Sequence, residues 1–266
     1  MGGSSCIFAC QAAKLGLRTA GIGTIGNDSF GEFVQNKLQE SGVKVDYIKT
    51  DDKIKTGVSV ILRSGGDRAI VTYLGTNDAV SSADFNEDIL KNSRHLHIGS
   101  YYLMKSLQPY YKDIVIKAKE YGMSISMDTN WDPDEKWDGG IWDVLEYVDI
   151  FLPNEKEALA ITRKNNVDRA MDALSEIVPV VVLKLGKEGT RAYNCGQRYN
   201  TSSIDVNVVD AVGAGDSFDA GFVYGFLSGY DIEKCLKIAC ICGSLNTRAA
   251  GGTAAQPDLA ELENFI

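Results

Sequence analysis

A turn of small residues, Gly213-Ala214-Gly215, stands directly before Asp216 and an apolar run. The first backbone N–H groups of a helix lack partners within the helix, and together they carry about half a positive charge. Because glycine has no Cβ, such a turn lets those N–H groups approach a phosphate closely. A carboxylate beside them can accept the proton of an alcohol that attacks a phosphoryl group. The pattern therefore predicts an anion hole with Asp216 as general base.

A purely structural interpretation of Asp216 stays open. Aspartate is a preferred N-cap residue, so Asp216 could do no more than begin its helix behind a tight turn. Further along, Gly221, Gly225 and Gly229 recur every four residues, which puts them on one helix face. We expect that face to pack closely on a sheet.

After residue 90 the sequence predicts alternating strands and helices, which would position the Gly213–Gly215 turn. Short apolar runs predict strands at 95–99, 124–128, 150–153 and 180–185. Helices are predicted at 108–121, 141–147 and 168–176. Such alternation indicates an α/β fold, with a parallel sheet covered by helices on both faces. Ligands bind beyond the carboxyl ends of such strands, and the motifs described here fall at those ends.

Two helices are predicted before the first β-rich region. Residues 6–16 have a small and apolar helical pattern that ends at Gly16. Residues 29–42 predict an amphipathic helix, and its apolar face would consist of Phe30, Phe33, Val34 and Leu38.

A β-hairpin is predicted over residues 57–75. Two β-rich runs, 58–62 and 69–73, flank the glycine turn at 64–67. Because no repeat, low-complexity tract or linker interrupts the sequence, we expect a single domain over 1–266 that contains this hairpin.

The composition excludes several classes of protein. Hydrophobic residues make up 44% of the 266 residues and charged residues 24%, which is typical of a globular protein. No apolar run approaches the roughly 18 residues that span a bilayer, and the first residues do not form a signal peptide. The net charge of −9 argues against a nucleic-acid surface. Six cysteines without a Cys-x-x-Cys pair are typical of reduced core thiols, so a cytoplasmic protein is expected.

Six segments carry motifs in a fixed order. They are Gly2-Gly3-Ser4, Gly23-x-x-Gly26-x-Asp28-x-x-Gly31, Asp128-x-Asn130, Asn154-x-x-Glu157, Leu185-Gly186-x-x-Gly189 and Asp210-x-x-Gly213-Ala214-Gly215-Asp216-x-Phe218-x-x-Gly221. Together they resemble the signatures of the PfkB, or ribokinase-like, family of sugar and nucleoside kinases. The resemblance implies a central, mostly parallel sheet between helices and a small β lid. It also implies ATP-dependent phosphorylation of a hydroxyl on a sugar, sugar acid or nucleoside.

The resemblance also implies where each ligand lies. Asp216 is the catalytic base, and the amides of Gly213, Ala214 and Gly215 stabilise charge on the transferred phosphoryl group. The ATP side consists of Asn154, Lys184, Gly186 and Gly189. The sugar side consists of Gly2, Gly3, Ser4, Gly99 and Asn130.

Two cations are implied in the same way. Asn154 and Glu157 would organise Mg²⁺ through water, which suits an ion that keeps its hydration shell. Asp210 and Val212, with the loop at 248–252, would bind a monovalent cation such as K⁺.

Several of these residues could instead have purely structural roles. Asn154 and Glu157 have the spacing of a capping box, and Lys184 could be a solvated lysine at a strand end. His95 and His97 share one strand face and are expected to serve packing. Trp131 and Trp137 are likewise expected to be packing residues rather than sugar platforms.

The sequence departs from the family pattern at three places. The family usually has a few dozen residues before the glycine pair, which supply the first sheet strand, an acidic sugar contact and part of the lid. Without them we expect a vacant sheet position and an exposed hairpin edge that favours a homodimer through the lid. Residues Cys6 to Ala9 stand where an asparagine usually contacts the sugar, and Ala211 replaces a common threonine. The substrate therefore stays open among sugars, sugar acids and nucleosides.

Two functions other than that of a kinase fit parts of the sequence. A non-catalytic protein that binds a nucleotide or sugar on the same scaffold would fit the incomplete lid. A nicotinamide-dependent dehydrogenase would fit Gly21-x-Gly23-x-x-Gly26, but the segment from Asn27 to Gly31 does not continue as that motif does.

Overall fold

The structure, a computed structural model, describes residues 1–64 and 67–266. The strands are β1 Gly23–Gly26, β2 Ile48–Asp51, β3 Val58–Ser64, β4 Asp67–Tyr73, β5 His95–Ile98, β6 Ser124–Met127, β7 Ile150–Phe151, β8 Val180–Lys184, β9 Thr190–Asn194 and β10 Gln197–Thr201. The helices are α1 Ser4–Lys14, α2 Ser29–Glu40, α3 Glu87–Lys91, α4 Tyr111–Glu120, α5 Ile141–Leu145, α6 Glu155–Thr162, α7 Val167–Ser175, α8 Ala214–Leu227, α9 Ile232–Asn246 and α10 Leu259–Glu263.

A mixed six-stranded sheet in the order β10-β9-β8-β7-β6-β5 forms the centre of the molecule. The strands from β5 to β8 are parallel, and each coincides closely with a strand predicted from the sequence. The pairs β8-β9 and β9-β10 are antiparallel, because a turn too short for a crossover helix joins each of them. Strands β9 and β10 were not predicted from the sequence pattern.

Helices cover both faces of this sheet, as predicted. Successive side chains of a strand point to opposite faces, and β8 shows this directly. Val181 and Leu183 belong to a buried cluster with residues of α4, α5 and α7. Val180 and Val182 pack instead against a cluster that contains residues of α8 and α9.

Close packing along α8 occurs against α9, and the expectation that its glycines pack on the sheet was wrong. A Cβ on Gly221 would lie 3.1 Å from the Cα of Ala239, and one on Gly225 would lie 3.1 Å from the Cα of Cys235. Gly229 follows the end of the helix at φ +76° and would meet no described atom within 4 Å. All six cysteines are free thiols, and four of them, Cys10, Cys235, Cys240 and Cys242, are buried.

The predicted helices at the start of the chain are present, but part of the apolar face of α2 is exposed. Helix α1 begins two residues earlier than predicted, and Gly16 has the left-handed φ of +89° expected just after a helix end. On α2, Leu38 is buried, but Phe30 is 56% and Phe33 47% exposed. Periodicity shows which residues share a helix face, and here no described element covers that end of the face.

Two small sheets lie outside the central one. Strands β1 and β2 form a parallel pair, and β3 and β4 form the antiparallel pair predicted over 57–75, although residues 65 and 66 of its turn lie outside the described residues. The carboxylate of Asp28 connects the start of α2 with the segment before β3. It accepts hydrogen bonds from the backbone N–H of Gly31 in α2 and from the N–H and hydroxyl of Thr56. These bonds hold the pKa of Asp28 at about 2.

A groove of about 650 Å³ runs beside the outer edge of β5. Among the described strands, β5 pairs with β6 alone. The groove wall includes apolar residues of α1 and α3, namely Phe8, Ala9, Ile89 and Leu90.

No helix in the described ranges is both long enough and apolar enough to cross a membrane.

Candidate active site

The carboxyl ends of four parallel strands meet the first turn of α8. Gly99 follows β5, Asp128 follows β6, Asn154 follows β7, and Lys184 ends β8. An isolated parallel bridge joins the backbones of Asn154 and Lys184. The predicted site residues from these strands therefore converge at one edge of the sheet, as expected for parallel strands.

Helix α8 begins at the glycine turn, and its N-cap is Gly213 rather than Asp216. Gly213 has a φ of +77°, and a Cβ there would lie 2.8 Å from the carbonyl oxygen of Gly252. Asp216 is the third residue of the helix, inside its first turn. The interpretation of Asp216 as an N-cap is therefore wrong. The N–H groups of the helix start lie beside it, and among them the N–H of Ala214 donates to the carbonyl of Ala211 at 3.3 Å.

Asp216 has an environment that raises the pKa of its carboxyl to about 6. Burial is the main cause, and the negative charge of Asp128 adds to it. The hydroxyl of Ser4 donates a 2.5 Å hydrogen bond to Oδ1 of Asp216 and, with Lys184, opposes the rise. Near neutral pH the carboxylate is thus ionised and more basic than an ordinary aspartate, which suits a general base.

Lys184 lies in a buried cluster of charges beside the turn. Its Nζ is 2.6 Å from Oδ2 of Asp128 and 3.0 Å from each carboxylate oxygen of Asp219. A Cβ on Gly215 would lie 3.7 Å from this Nζ. The side chain of Lys184 is 12% exposed, so the interpretation of it as a solvated strand lysine is wrong.

Each charge in the cluster changes the proton affinity of its neighbours. Burial alone would lower the pKa of Lys184, but the charges of Asp128 and Asp219 raise it above its usual value. Burial alone would likewise raise the pKa of Asp128, but Lys184 holds it at about 2. Asp219 was not predicted as a site residue. Its spacing of three residues from Asp216 places it on the same helix face and could have indicated it. Its partner Lys184, however, is 35 residues away in the sequence, so their contact could not be predicted.

Asn154 and Glu157 form the capping box that their spacing allowed. Oδ1 of Asn154 accepts a bond from the N–H of Glu157, and the carboxylate of Glu157 accepts bonds from the backbone N–H (2.9 Å) and the side-chain Nδ2 (2.6 Å) of Asn154. Burial, and then the charge of Asp128, raises the pKa of Glu157 to about 7. The side-chain oxygens of Asn154 and Glu157 already accept hydrogen bonds. They are therefore better suited to contact Mg²⁺ through its water shell than to coordinate the ion directly.

The oxygens expected to hold a monovalent cation come from one turn. The carboxylate of Asp210 accepts bonds from the N–H groups of Val212 (3.2 Å) and Gly251 (3.0 Å), which ties the turn to the 248–252 loop. The carbonyl of Val212 accepts a bond from Nδ2 of Asn246. A carboxylate and a carbonyl in one place are oxygen ligands that fit such a cation.

The predicted sugar-side residues fall into two neighbouring groups. A Cβ on Gly99 would lie 3.5 Å from Oγ of Ser4, which brings the end of β5 against the start of α1. Gly3 is the N-cap of α1 at φ +85°, and Gly2 precedes it on the surface.

Asn130 forms the second group with the loop after β5. Its Nδ2 donates a 3.2 Å hydrogen bond to Oγ of Ser100. Asn130 and Ser100 both have left-handed backbones, at φ +54° and +61°. Such strain in residues other than glycine is common at ligand sites.

The glycine turn after β8 has a strict steric requirement. Gly189 has a φ of +91°, and a Cβ there would lie 2.0 Å from the carbonyl oxygen of Thr201. Its own carbonyl accepts a bond from the N–H of Leu185. Gly186, at φ +60°, opens the turn two residues after Lys184.

The two histidines lie in packed surroundings, whereas the two tryptophans differ in exposure. His95 bonds to Ser124 and Ser126, and His97 bonds to Ser126 and stacks on the ring of Phe8. Burial lowers their pKa values to about 4 and about 3, so both rings are neutral near pH 7. Trp137 is buried and meets the exposed Trp131 edge to face at 4.8 Å.

Comparisons with known proteins cover nearly the whole chain. A family model described as pfkB family carbohydrate kinase matches residues 1–259. The 5-dehydro-2-deoxygluconokinase of Geobacillus thermodenitrificans is 27% identical over 288 residues, which cover 100% of this chain and 84% of that protein.

Solved structures show the same fold. The E. coli protein called ribokinase II, in complex with ATP and Mg²⁺, has a TM-score of 0.90 and 29% identity, covering 99% of this chain and 88% of that one. The ribokinase of Arabidopsis thaliana, complexed with ribose and ATP, has a TM-score of 0.86 and 25% identity, covering 99% of this chain and 86% of that one. The ribokinase-like α/β fold implied by the motifs is therefore confirmed.

Proposed function

The chain belongs to the pfkB family of carbohydrate kinases, and on that basis we propose that it transfers the γ-phosphoryl group of ATP to a hydroxyl of a sugar, sugar acid or nucleoside, with Asp216 as the general base. The observation that carries the proposal is the position of Asp216 inside the first turn of α8, directly after Gly213, Ala214 and Gly215. A proton acceptor and the N–H groups of a helix start thus lie side by side.

In the proposed reaction the acceptor hydroxyl loses its proton to Asp216 while its oxygen attacks the γ-phosphorus. The bond from that phosphorus to the bridging oxygen breaks, and ADP leaves. The amides of Gly213, Ala214 and Gly215 stabilise the charge on the transferred phosphoryl oxygens. The short bond from Ser4 holds the carboxylate in one orientation.

The two substrates are assigned to opposite sides of this turn. Gly2, Gly3, Ser4, Gly99 and Asn130 form the acceptor side, supported by the contacts of α1 with the end of β5 and by the strained backbone at Asn130. Asn154, Lys184, Gly186 and Gly189 form the ATP side, at the ends of β7 and β8.

Two cations complete the proposal. When bound, Mg²⁺ neutralises charge on the ATP phosphates, and Asn154 and Glu157 would hold its water shell. K⁺, or a similar monovalent cation, would bind to oxygens of Asp210 and Val212. The relative solved with ATP and Mg²⁺ supports the first of these assignments.

The hairpin over 57–75 is assigned as a lid within one kinase domain that spans 1–266. One face of it is apolar and exposed, since Val60 (53%), Leu62 (55%), Val71 (61%) and Tyr73 (57%) share that face. A homodimer in which two lids cover each other would bury this face.

The test is an ADP-release assay on a panel of sugars, sugar acids and nucleosides, with Asp216→Asn beside the wild type. We expect Asp216→Asn to lower kcat at least about a hundredfold, while ATP binding measured by calorimetry is retained. Asp231→Asn is the matched control, because Asp231 caps α9 and asparagine caps equally well.

Two results would contradict the proposal in different ways. Near-normal turnover by Asp216→Asn would remove Asp216 from its role. ATP binding without phosphate transfer to any acceptor would select the alternative of a non-catalytic binding protein.

A further inference from the structure

Lys184 contacts residues from three elements of the candidate site, and carboxylates already occupy its ammonium group. An ammonium group has three N–H donors, and three carboxylate oxygens of Asp128 and Asp219 lie within 3.0 Å of Nζ. The backbone of the same residue bridges to Asn154. This anchoring fixes a positive charge beside the turn at Gly215.

We propose that Lys184 is a positioning residue for phosphoryl transfer: Asp128 and Asp219 hold its ammonium beside the Gly213–Gly215 turn, where it adds positive charge next to the anion hole and the proposed base. This inference rests on the proposed function, because it assigns a role within the same reaction.

The charges that face Asp216 come from three places in the fold. From α1, Ser4 donates its hydrogen bond and Cys6 stays neutral, because burial raises the pKa of its thiol to about 12. From the end of β6, Asp128 contributes a negative charge, and from the end of β8, Lys184 contributes the positive charge that opposes it. Lys184 is thus the cation among these groups that favours the ionised base.

The same side chains position the helix that carries the base. Asp219 lies one turn beyond Asp216 on α8, so its two contacts with Lys184 connect that helix to the end of β8. Buried ion pairs are weak sources of stability, because the loss of hydration offsets their attraction. The cluster of Lys184, Asp128 and Asp219 is therefore better explained by the positioning of the Lys184 charge than by a contribution to stability.

The experiment compares Lys184→Met with the double variant Lys184→Met/Asp219→Asn, in which the amine and one of its two carboxyl partners are removed together. Each is assayed for kcat, for the ATP dissociation constant and for kcat as a function of pH, and thermal unfolding reports stability. Lys119→Met is the matched control, because Lys119 pairs with Asp149, which precedes β7 at the opposite edge of the sheet.

We expect kcat at pH 7 to fall about a hundredfold in both variants, and the acid limb of the pH profile to move about one unit upward. The ATP dissociation constant is expected to rise much less than kcat falls, because Asp128 and Asp219 rather than ATP hold the ammonium. The control is expected to match the wild type. The upward movement is the readout that a merely structural role would not produce.

A double variant that folds with wild-type kcat and an unmoved acid limb would overturn the inference, whether or not the single variant folds. Including Asp216→Asn in the same assay separates the two proposals. If Asp216→Asn is inactive while the double variant is fully active, the inference on Lys184 fails and the proposed base stands. If Asp216→Asn keeps near-normal turnover, the role proposed for Asp216 fails, and if the wild type transfers no phosphate to any acceptor, the proposed function itself fails.

Discussion

The hydroxyl of Ser4, the first residue of α1, donates a hydrogen bond to Oδ1 of Asp216, in the first turn of α8, at 2.5 Å. The two residues are 212 positions apart in the sequence. The bond joins a helix assigned to the acceptor side with the helix that carries the proposed base. It follows that a change at either helix start should alter the proton affinity of Asp216.

Replacing Ser4 with alanine removes a donor from the ionised carboxylate. Because that bond favours the charged form, Ser4→Ala should raise the pKa of Asp216 further and lower kcat by about tenfold. The measurement is kcat at several pH values between 5 and 8. Ser5→Ala, one residue further along α1, is the control, and equal effects of the two changes would argue against a specific role for this bond.

The activity should depend on pH through Asp216. The base must be ionised, and its pKa is raised to about 6, so kcat should fall as the pH drops through about 6.

The same shift has an opposite consequence for stability. Because the folded protein holds the proton of Asp216 more tightly than the unfolded chain, this residue makes folding less favourable as the pH rises from about 4 to about 6. Asp216→Asn should therefore raise the Tm at pH 7.5 relative to the wild type and leave it nearly unchanged at pH 3.5. A Tm that is lower at pH 7.5 would contradict the raised pKa.

Replacing Glu157 with glutamine should separate its capping role from its proposed metal role. Glutamine also completes a capping box, so the Tm of Glu157→Gln should stay close to that of the wild type. The lost charge should raise the Mg²⁺ concentration needed for half-maximal activity by about tenfold. Glu155→Gln, in the same helix turn, is the control, and an unchanged Mg²⁺ requirement would exclude Glu157 from the metal site.

A methyl group on Gly189 should be far more costly than one on Gly186. Both have left-handed backbones, but a Cβ on Gly189 would lie 2.0 Å from the carbonyl oxygen of Thr201, whereas one on Gly186 would have no described atom within 4 Å. We expect Gly186→Ala to lower the free energy of unfolding by about 1 kcal/mol and Gly189→Ala by more than about 3 kcal/mol. Urea denaturation measures both, and equal losses would contradict the steric argument.

A negative charge on the apolar face of the lid should dissociate the proposed dimer. Val71 faces the same side as Val60 and is 61% exposed, so Val71→Glu should yield monomers in sedimentation velocity while the wild type sediments as a dimer. Thr72→Glu, on the opposite face of the hairpin, is the control. A wild type that sediments as a monomer would remove the dimer from the proposal.

Elements with local signals could be predicted from residue order alone. The strands at β5, β6, β7 and β8 follow from short apolar runs, and the hairpin strands follow from two β-rich runs around a glycine turn. The turn before Asp216 was recognisable for the same reason, since residue types at fixed spacing set the backbone of a helix start. Neighbouring residues alone decide such features.

Contacts between distant elements became apparent once the packed chain was available. Lys184 was ambiguous in the sequence, because its partners Asp128 and Asp219 come from two other elements. The glycines of α8 signalled close packing but could not indicate that α9, rather than the sheet, would cover them. The periodicity of α2 likewise could not show that Phe30 and Phe33 stay exposed. Periodicity and spacing specify which side chains share a face, whereas the partner of that face depends on the simultaneous packing of the whole chain.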